Sequence, residues 1–137
     1  MIGPDGKRVL VANEGEPSDD YTYDPEGSVS IIDLRRGVKR LRQADVATAD
    51  FRAFNDEPID PAIRIFGPNA TVAQDLEPEF IATSRDSKTA WVAMQENNGL
   101  AVVDIRSATV TDLVGLGKKN HMEAGNGLDA SNRDDAI

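Results

Sequence analysis

The sequence contains no cysteine, one histidine and only 5% aromatic residues, and each of these shortages excludes a kind of site. Without cysteine the chain can form neither a disulfide nor a thiolate-based catalytic or zinc site. The single histidine, His121, lies in a polar segment without a nucleophile-elbow motif, so we interpret it as a surface residue. No run of about 18 apolar residues is present, and the sequence therefore predicts no membrane-spanning segment.

Basic residues are also scarce: 15 Lys and Arg stand against 24 Asp and Glu, which gives a formal net charge of −9. This balance makes nucleic acids and anionic membranes poor partners and favours cations. A chain of 137 residues is long enough to bury one hydrophobic core. It opens on a turn rather than a signal peptide and closes on a polar loop followed by apolar residues. We therefore expect one segment, residues 1–137, truncated at both ends.

One hairpin pattern is present twice. In the first copy, apolar strands flank a long tip at residues 14–27, and in the second they flank a short tip at residues 95–98. Each copy begins at a turn and ends on an acid followed by an aliphatic residue. Repeated antiparallel units are typical of a β-propeller or a similar β array. Growth at a hairpin tip is where such arrays place functional residues.

The rest of the pattern predicts an all-β fold, a partial β-propeller of antiparallel meander blades with one short helix. Strands are expected near residues 8–13, 28–34, 79–84, 89–95, 99–105 and 109–115, with a short extra strand at 38–41. The last four of the main strands would form a meander, which is the content of one propeller blade.

The segment between the two hairpins breaks this rhythm. Residues 49–55 are predicted to form the helix, with Thr48 as its N-cap and with Phe51 and Phe54 on one face. Farther along, residues 63–68 are expected to be a brief extended piece and residues 69–78 to be loop. In the second hairpin, we expect Trp91 to pack in the core.

Carboxylate side chains are concentrated on the predicted loops. The long tip carries six acids and no basic residue, and the repeat places its start at the same end of the array as the short tip. Hard oxygen ligands on loops suit Ca²⁺ or Mg²⁺. We predict a site for a divalent cation, Ca²⁺ in the first place, with ligands drawn from Glu14, Glu16, Asp75, Glu77, Glu79 and Glu96.

Plainer interpretations of these features stay open. Acidic loops also keep a protein in solution, which explains the long tip equally well and is preferred for Asp129, Asp134 and Asp135. Neither acidic run carries the frame of an EF-hand, and residues 115–118 are too short for a phosphate-binding loop. Tyr21 and Tyr23 either line a substrate face or pack the long tip down.

Six motifs resemble the bacterial choice-of-anchor I domain, in order over nearly the whole chain. They are residues 9–17, 26–33, 65–68, 73–79, 91–98 and 125–131. The resemblance implies part of a secreted or surface-anchored β-propeller, in a family whose members are often labelled alkaline phosphatase-like. The sequence departs from the family in lacking a secretion signal and a C-terminal anchor, which we interpret as truncation.

Two functions fit these observations. One is a non-catalytic segment of an extracellular or cell-surface propeller, in which a divalent cation stiffens the loops. The other is a metal-dependent phosphoesterase whose cations hold the phosphate, and the question of enzymatic activity stays open. Expected partners are the remaining blades of the same propeller, together with a small phosphorylated ligand or a surface partner. The isolated chain should be marginally stable or self-associating, because strand edges and apolar faces lie uncovered.

Overall fold

The structure is a computed structural model that describes residues 1–128 and consists of two open antiparallel sheets. Sheet 1 has the order β1-β2-β3, with strands Arg8–Asn13, Ser28–Asp33 and Val46–Asp50. Sheet 2 has the order β4-β5-β6-β7, with strands Ile81–Thr83, Thr89–Met94, Gly99–Asp104 and Thr109–Gly115. The all-β prediction is confirmed, and the four strands of sheet 2 form the predicted meander.

Helical structure is short and lies between the strands. Within residues 1–128, three 3-10 helices span Val38–Arg40, Gln43–Asp45 and Arg52–Phe54, and a single α-helical turn, α1, spans Val72–Asp75. Among the described residues, no helix has the length and apolar character needed to cross a membrane.

The two long hairpins pair in the same register. In sheet 1 the pairing runs from Arg8↔Asp33 to Asn13↔Ser28, and in sheet 2 from Thr89↔Asp104 to Met94↔Gly99. The same hydrogen bond closes each hairpin at its base, between backbone N–H and carbonyl groups 2.8 Å apart. Each residue of one hairpin therefore has an equivalent in the other, offset by 81 positions in the first strand and by 71 in the second.

Equivalent residues of the two hairpins face opposite environments. Leu10 and Val29 are fully buried in sheet 1. In sheet 2 the equivalent of Leu10, Trp91, is 42% exposed, and the equivalent of Val29, Leu100, is half-buried. On the other side of the unit, Val92 is fully buried in sheet 2, whereas its equivalent Val11 is 40% exposed. We call the side with Leu10 and Trp91 the front face and the side with Val11 and Val92 the back face.

The core lies between the two sheets. Buried residues of both sheets belong to a single hydrophobic cluster, to which sheet 1 contributes Leu10 and Val29 and sheet 2 contributes Val92 and Met94. The front face of sheet 1 thus packs on the back face of sheet 2. Two copies of one unit stack front to back, and they leave the back face of sheet 1 and the front face of sheet 2 uncovered within the described residues.

The prediction that Trp91 packs in the core is wrong. Trp91 lies between the buried residues Ala90 and Val92 on β5, so the alternation of a strand directs its ring to the uncovered front face. The size and apolar character of Trp91 favour a buried position, but the alternation along β5 determines which face of the sheet its side chain lies on.

The segment between the sheets departs most from the prediction. Residues 38–41 form no strand, because Gly37 turns the chain with a φ of 83° and a 3-10 helix begins at Val38. The predicted helix at 49–55 is also wrong: Thr48 is part of β3, which pairs with β2, and only Arg52–Phe54 forms a helical turn. Phe51 is buried immediately after the strand.

The stretch before sheet 2 departs from the prediction at residues 69–78. Within the piece predicted to be extended, residues 63–68, no strand forms, and Ile63 joins the core. Residues 69–78 contain α1, and a capping box at Thr71 starts it: the hydroxyl of Thr71 accepts a hydrogen bond from the backbone N–H of Gln74. The Thr-x-x-Gln spacing was the signal in the sequence for this turn.

Candidate functional site

An acidic pocket lies where the two hairpin tips meet the segment that contains α1. Its volume is about 190 Å³. It is lined by Glu14, Glu16, Pro17, Ser18, Asp19, Tyr21, Phe66, Glu77 and Glu96. Five of these nine residues are carboxylates and none is basic, so the pocket is a concentrated negative charge. Four of the six predicted ligands, Glu14, Glu16, Glu77 and Glu96, line it.

Close backbone packing places Glu77 beside the base of the long tip. The backbone N–H of Gly27 donates to the carbonyl of Ala73 at 2.9 Å. Gly27 also lies directly against the carbonyl of Leu76, where a β-carbon would collide with backbone atoms. On the other side of α1, the side chain of Asn55 accepts a hydrogen bond from the N–H of Ala73. These contacts hold Ala73 within α1 and Leu76 directly after it, and hence the position of Glu77.

Asn97 connects the short tip to the same segment. Its side chain is fully buried and accepts a hydrogen bond from the backbone N–H of Glu77 at 3.0 Å. Its amide nitrogen donates to the carbonyls of Asp75 at 2.7 Å and Arg64 at 3.1 Å. A buried amide satisfied in this way specifies one geometry, since a displaced partner would be left unpaired at a cost of about 1–3 kcal/mol. In the sequence, nothing distinguishes Asn97 from the other polar residues of the short tip.

Glu77 is the least ordinary group in the pocket. The residue is only 6% exposed, yet no donor among residues 1–128 makes a hydrogen bond to its carboxylate. The pKa of Glu77 is raised from 4.5 to about 7, chiefly because the group is buried. The nearby charges of Glu96 and Glu14 add to this rise, and those of Asp75 and Glu16 contribute less. Because no fully buried side-chain oxygen among the described residues lacks a partner, the oxygens of Glu77 must face the pocket rather than the core. Low exposure and the surrounding negative charges still disfavour its ionised form, so this group favours a proton or a cation.

Asp75 lies beside the pocket but its carboxylate is already engaged. It accepts hydrogen bonds from the backbone N–H groups of Phe66 and Gly67, and from the amide of Asn97 at 3.2 Å. This arrangement anchors the loop that carries Phe66, which lines the pocket. The structure places Glu79 elsewhere, in a groove with Val9 and Phe80 at the edge of the sheets.

The acids of the long tip have different surroundings. Asp20 accepts hydrogen bonds from the hydroxyls of Thr22 at 2.7 Å and Ser18 at 2.9 Å, which lower the pKa of its carboxyl. Glu26 pairs with Arg52 at 2.6 Å. Burial, and the charge of Asp75, raise the pKa of Asp24. The tip contributes Glu14, Glu16 and Asp19 to the pocket, as well as the ring of Tyr21, whereas Tyr23 is largely exposed.

The pocket is not a finished metal centre. Within residues 1–128, no group of three or more Asp, Glu or His side chains is arranged so that it could hold a metal ion as it stands. Glu14, Glu16 and Glu96 are exposed side chains. Their convergence on Glu77 would bring like charges together, which a bound cation would offset. Of the remaining predicted features, His121 is exposed with its Nδ1 2.6 Å from the carbonyl of Asn126. Asp129, Asp134 and Asp135 lie outside the described residues.

Comparison with known proteins identifies the family. The family sequence model of the choice-of-anchor I domain matches residues 1–137, which is the whole sequence. A search of curated proteins returned no match. The chain belongs to the choice-of-anchor I family, a class of surface-associated domains.

Proposed function

We propose that this chain is a segment of an extracellular β-propeller and that its acidic pocket binds a divalent cation, Ca²⁺ in the first place. The observation that carries the cation site is Glu77: a carboxylate of a residue only 6% exposed, without a hydrogen-bond donor among residues 1–128, that lines a pocket with four other acids. Family membership and the front-to-back stacking of two equivalent sheets support the propeller.

The chemistry of the lining favours Ca²⁺ over a transition metal. All five charged ligand candidates are carboxylates, and the pocket lining contains neither cysteine nor histidine. Ca²⁺ accepts six to eight oxygen ligands in flexible geometry, which suits glutamates on two loops that must adjust around the ion. The bound ion would join the long tip, the short tip and the segment after α1, and so stiffen this end of the sheets. This role requires no reaction.

The alternative, a metal-dependent phosphoesterase, finds less support. A phosphate group would need cationic partners, and the residues that line the pocket offer none. The cation alone would have to hold the substrate. We therefore place binding and loop stabilisation before catalysis.

Terbium luminescence tests the site directly, because Tb³⁺ takes oxygen ligands like those of Ca²⁺ and a nearby tyrosine sensitises its emission. We expect sensitised emission from the wild-type chain and its loss when Ca²⁺ displaces Tb³⁺. Tyr21→Phe should weaken the emission, because Tyr21 lines the pocket, whereas Tyr23→Phe should leave most of it. Emission unchanged by Tyr21→Phe, or not displaced by Ca²⁺, would place the ion elsewhere.

A further inference from the structure

A second pocket lies at the opposite end of the hairpins from the acidic pocket, where the paired residues Arg8 and Asp33 begin the hairpin of sheet 1. Its volume is about 500 Å³, and the turn between β6 and β7 contributes Arg106 to its lining. Four arginines and two aspartates line it: Arg8, Arg35, Arg36, Arg106, Asp33 and Asp45. We propose that this arginine pocket binds the phosphate group of a small soluble ligand.

The charge of the arginine pocket is opposite to that of the molecule. Its four arginines and two aspartates give a formal excess of two positive charges, whereas the whole chain carries −9. Guanidinium groups gathered in one pocket repel one another, and an anion among them relieves that repulsion. The guanidinium fork also matches the oxygens of a phosphate group in geometry. A phosphate group with two negative charges would balance the excess.

The repeat places an arginine at the base of each hairpin. Asp33 and Asp104 are equivalent residues, and each is followed two positions later by an arginine, Arg35 or Arg106. Each aspartate accepts a hydrogen bond from the backbone N–H of its arginine at 2.9 Å. These bonds hold the backbone of both arginines at the same end of the two sheets, and both arginines line the pocket.

The two copies of this turn use their side chains differently. In sheet 1 the guanidinium of Arg35 pairs with the carboxylate of Asp33. In sheet 2 the carboxylate of Asp104 instead accepts hydrogen bonds from the N–H of Ser107 at 2.8 Å and from its hydroxyl at 3.0 Å. The guanidinium of Arg106 is thereby left to the pocket.

The aspartates of the lining do not neutralise the remaining arginines. Asp33 is paired with Arg35, and Asp45 accepts a hydrogen bond from the backbone N–H of Arg42 at 2.8 Å. Within residues 1–128, no ion pair involves the other three arginines of the pocket, which are Arg8, Arg36 and Arg106. Three guanidinium groups are therefore available to an anion.

The rest of the pocket indicates the size of the ligand. Ile31, Ala44 and Ala47 are apolar parts of the lining, which the uncharged part of a ligand would contact. The volume lies in the range of about 300–1,000 Å³ that small-molecule pockets occupy. A long polyanion or an anionic membrane would extend beyond the pocket and meet the negative charge of the rest of the chain. A small phosphate monoester avoids that repulsion.

The experiment is isothermal titration of the full 137-residue chain in a buffer free of Ca²⁺, phosphate and sulfate. The probes are phenyl phosphate and phenyl sulfate, which have the same ring and nearly the same size. At pH 8 the first carries about two negative charges and the second carries one. We expect phenyl phosphate to bind and phenyl sulfate to bind about tenfold more weakly, because it balances only half of the excess charge.

Three variants locate the binding. Arg8→Gln and Arg106→Gln each remove one available guanidinium, and each should weaken the binding of phenyl phosphate by about tenfold. Arg85→Gln is the matched control, since it changes the net charge equally and Arg85 is exposed on the turn between β4 and β5, outside the pocket. Its affinity should stay within about twofold of the wild type. Circular dichroism melts show that each variant remains folded.

Four results would overturn the proposal. They are a wild type that binds no phenyl phosphate, equal binding of the two probes, an equal loss of affinity in Arg85→Gln, and tighter binding of oligothymidylate, which would favour a nucleic-acid interface. The proposal is independent of the cation site, and repeating the titration with Ca²⁺ separates the two. Phenyl phosphate should bind equally well without the ion. Binding that requires Ca²⁺ and survives Arg106→Gln would place the phosphate at the acidic pocket and contradict the arginine site.

Discussion

The two hairpins share one register but differ at their tips. The tip of sheet 1 spans residues 14–27, is largely exposed, and holds its acids partly in local hydrogen bonds such as those of Asp20. The tip of sheet 2 spans residues 95–98 and places Asn97 fully inside the molecule. Both tips therefore supply charge to the pocket, most of it from the long tip, and the short tip also supplies the rigid contact that holds Glu77 beside that charge.

The faces of the two sheets differ in the same systematic way. Each sheet buries one face of the unit and exposes the other, and the buried face of one corresponds to the exposed face of the other. Sequence equivalence and burial are thus separate properties: a repeated position is in the core only when a neighbouring sheet covers it.

The largest expected effect tests whether the two sheets bury opposite faces of the repeated unit. Leu10→Ala should lower the free energy of unfolding by about 2–5 kcal/mol, because the side chain is fully buried between the sheets. Its equivalent Trp91 is much more exposed, so Trp91→Ala should cost less than about 1 kcal/mol in the monomer. Urea unfolding at low protein concentration measures both. Equal losses would show that the two faces do not differ in burial.

The next effect tests the difference between the tips. Asn97→Ala should destabilise the fold by about 2–4 kcal/mol, because it leaves the N–H of Glu77 and the carbonyl of Asp75 buried without a partner. The control is Asn13→Ala at the start of the long tip, whose half-buried amide bonds only to Ser28 and Ser30, and it should cost about 0.5–1.5 kcal/mol. If both variants lose the same stability, the short tip is not the rigid one.

A third effect depends on pH. The pKa of Glu77 in the folded state, about 7, lies above its ordinary value of 4.5, so the folded state holds an additional proton between these values. Stability should therefore fall as pH rises through this window, by about 1–2 kcal/mol, since solvent in the pocket screens part of the shift. Glu77→Gln removes the titrating group. With a chelator present, the variant should match the wild type at pH 4 and exceed it by that amount at pH 8.

The control for the pH effect is Glu79→Gln, because Glu79 lies two residues away and lines a different groove. Its difference in stability from the wild type should be nearly constant with pH. A constant difference for Glu77→Gln as well would mean that Glu77 ionises normally in the folded protein.

The sequence was sufficient for features that depend on local pattern. Period-two alternation located six of the seven strands in the described part of the chain, and the repeated hairpin brought Glu14 and Glu96 to one end, where both line the pocket. The sequence was not sufficient where tertiary contacts determine the secondary structure. β3 exists because β2 offers an edge with which Thr48 and Ala49 can pair, although the same residues are compatible with a helix start.

The site shows the same division. Acidic composition indicated the pocket, but it could not distinguish Glu77, which lacks a partner among the described residues, from Asp75, whose oxygens bond to backbone N–H groups. The burial of Asn97 also depends on the segment after α1 packing over the short tip, which no local pattern encodes. The exposure of Trp91 depends on which face of the unit a neighbouring sheet covers.

The most direct test of the cation site is the melting temperature of the wild type, Glu77→Gln and Glu79→Gln with and without Ca²⁺, against NaCl of matched ionic strength. Binding to the folded state alone stabilises it by about 2.7 kcal/mol when free Ca²⁺ is a hundredfold above its dissociation constant. We predict that Ca²⁺, but not NaCl, raises the melting temperature of the wild type and of Glu79→Gln, and that Glu77→Gln abolishes the rise. A wild-type melting temperature unchanged by Ca²⁺, or an equal rise in Glu77→Gln, would contradict the proposed site.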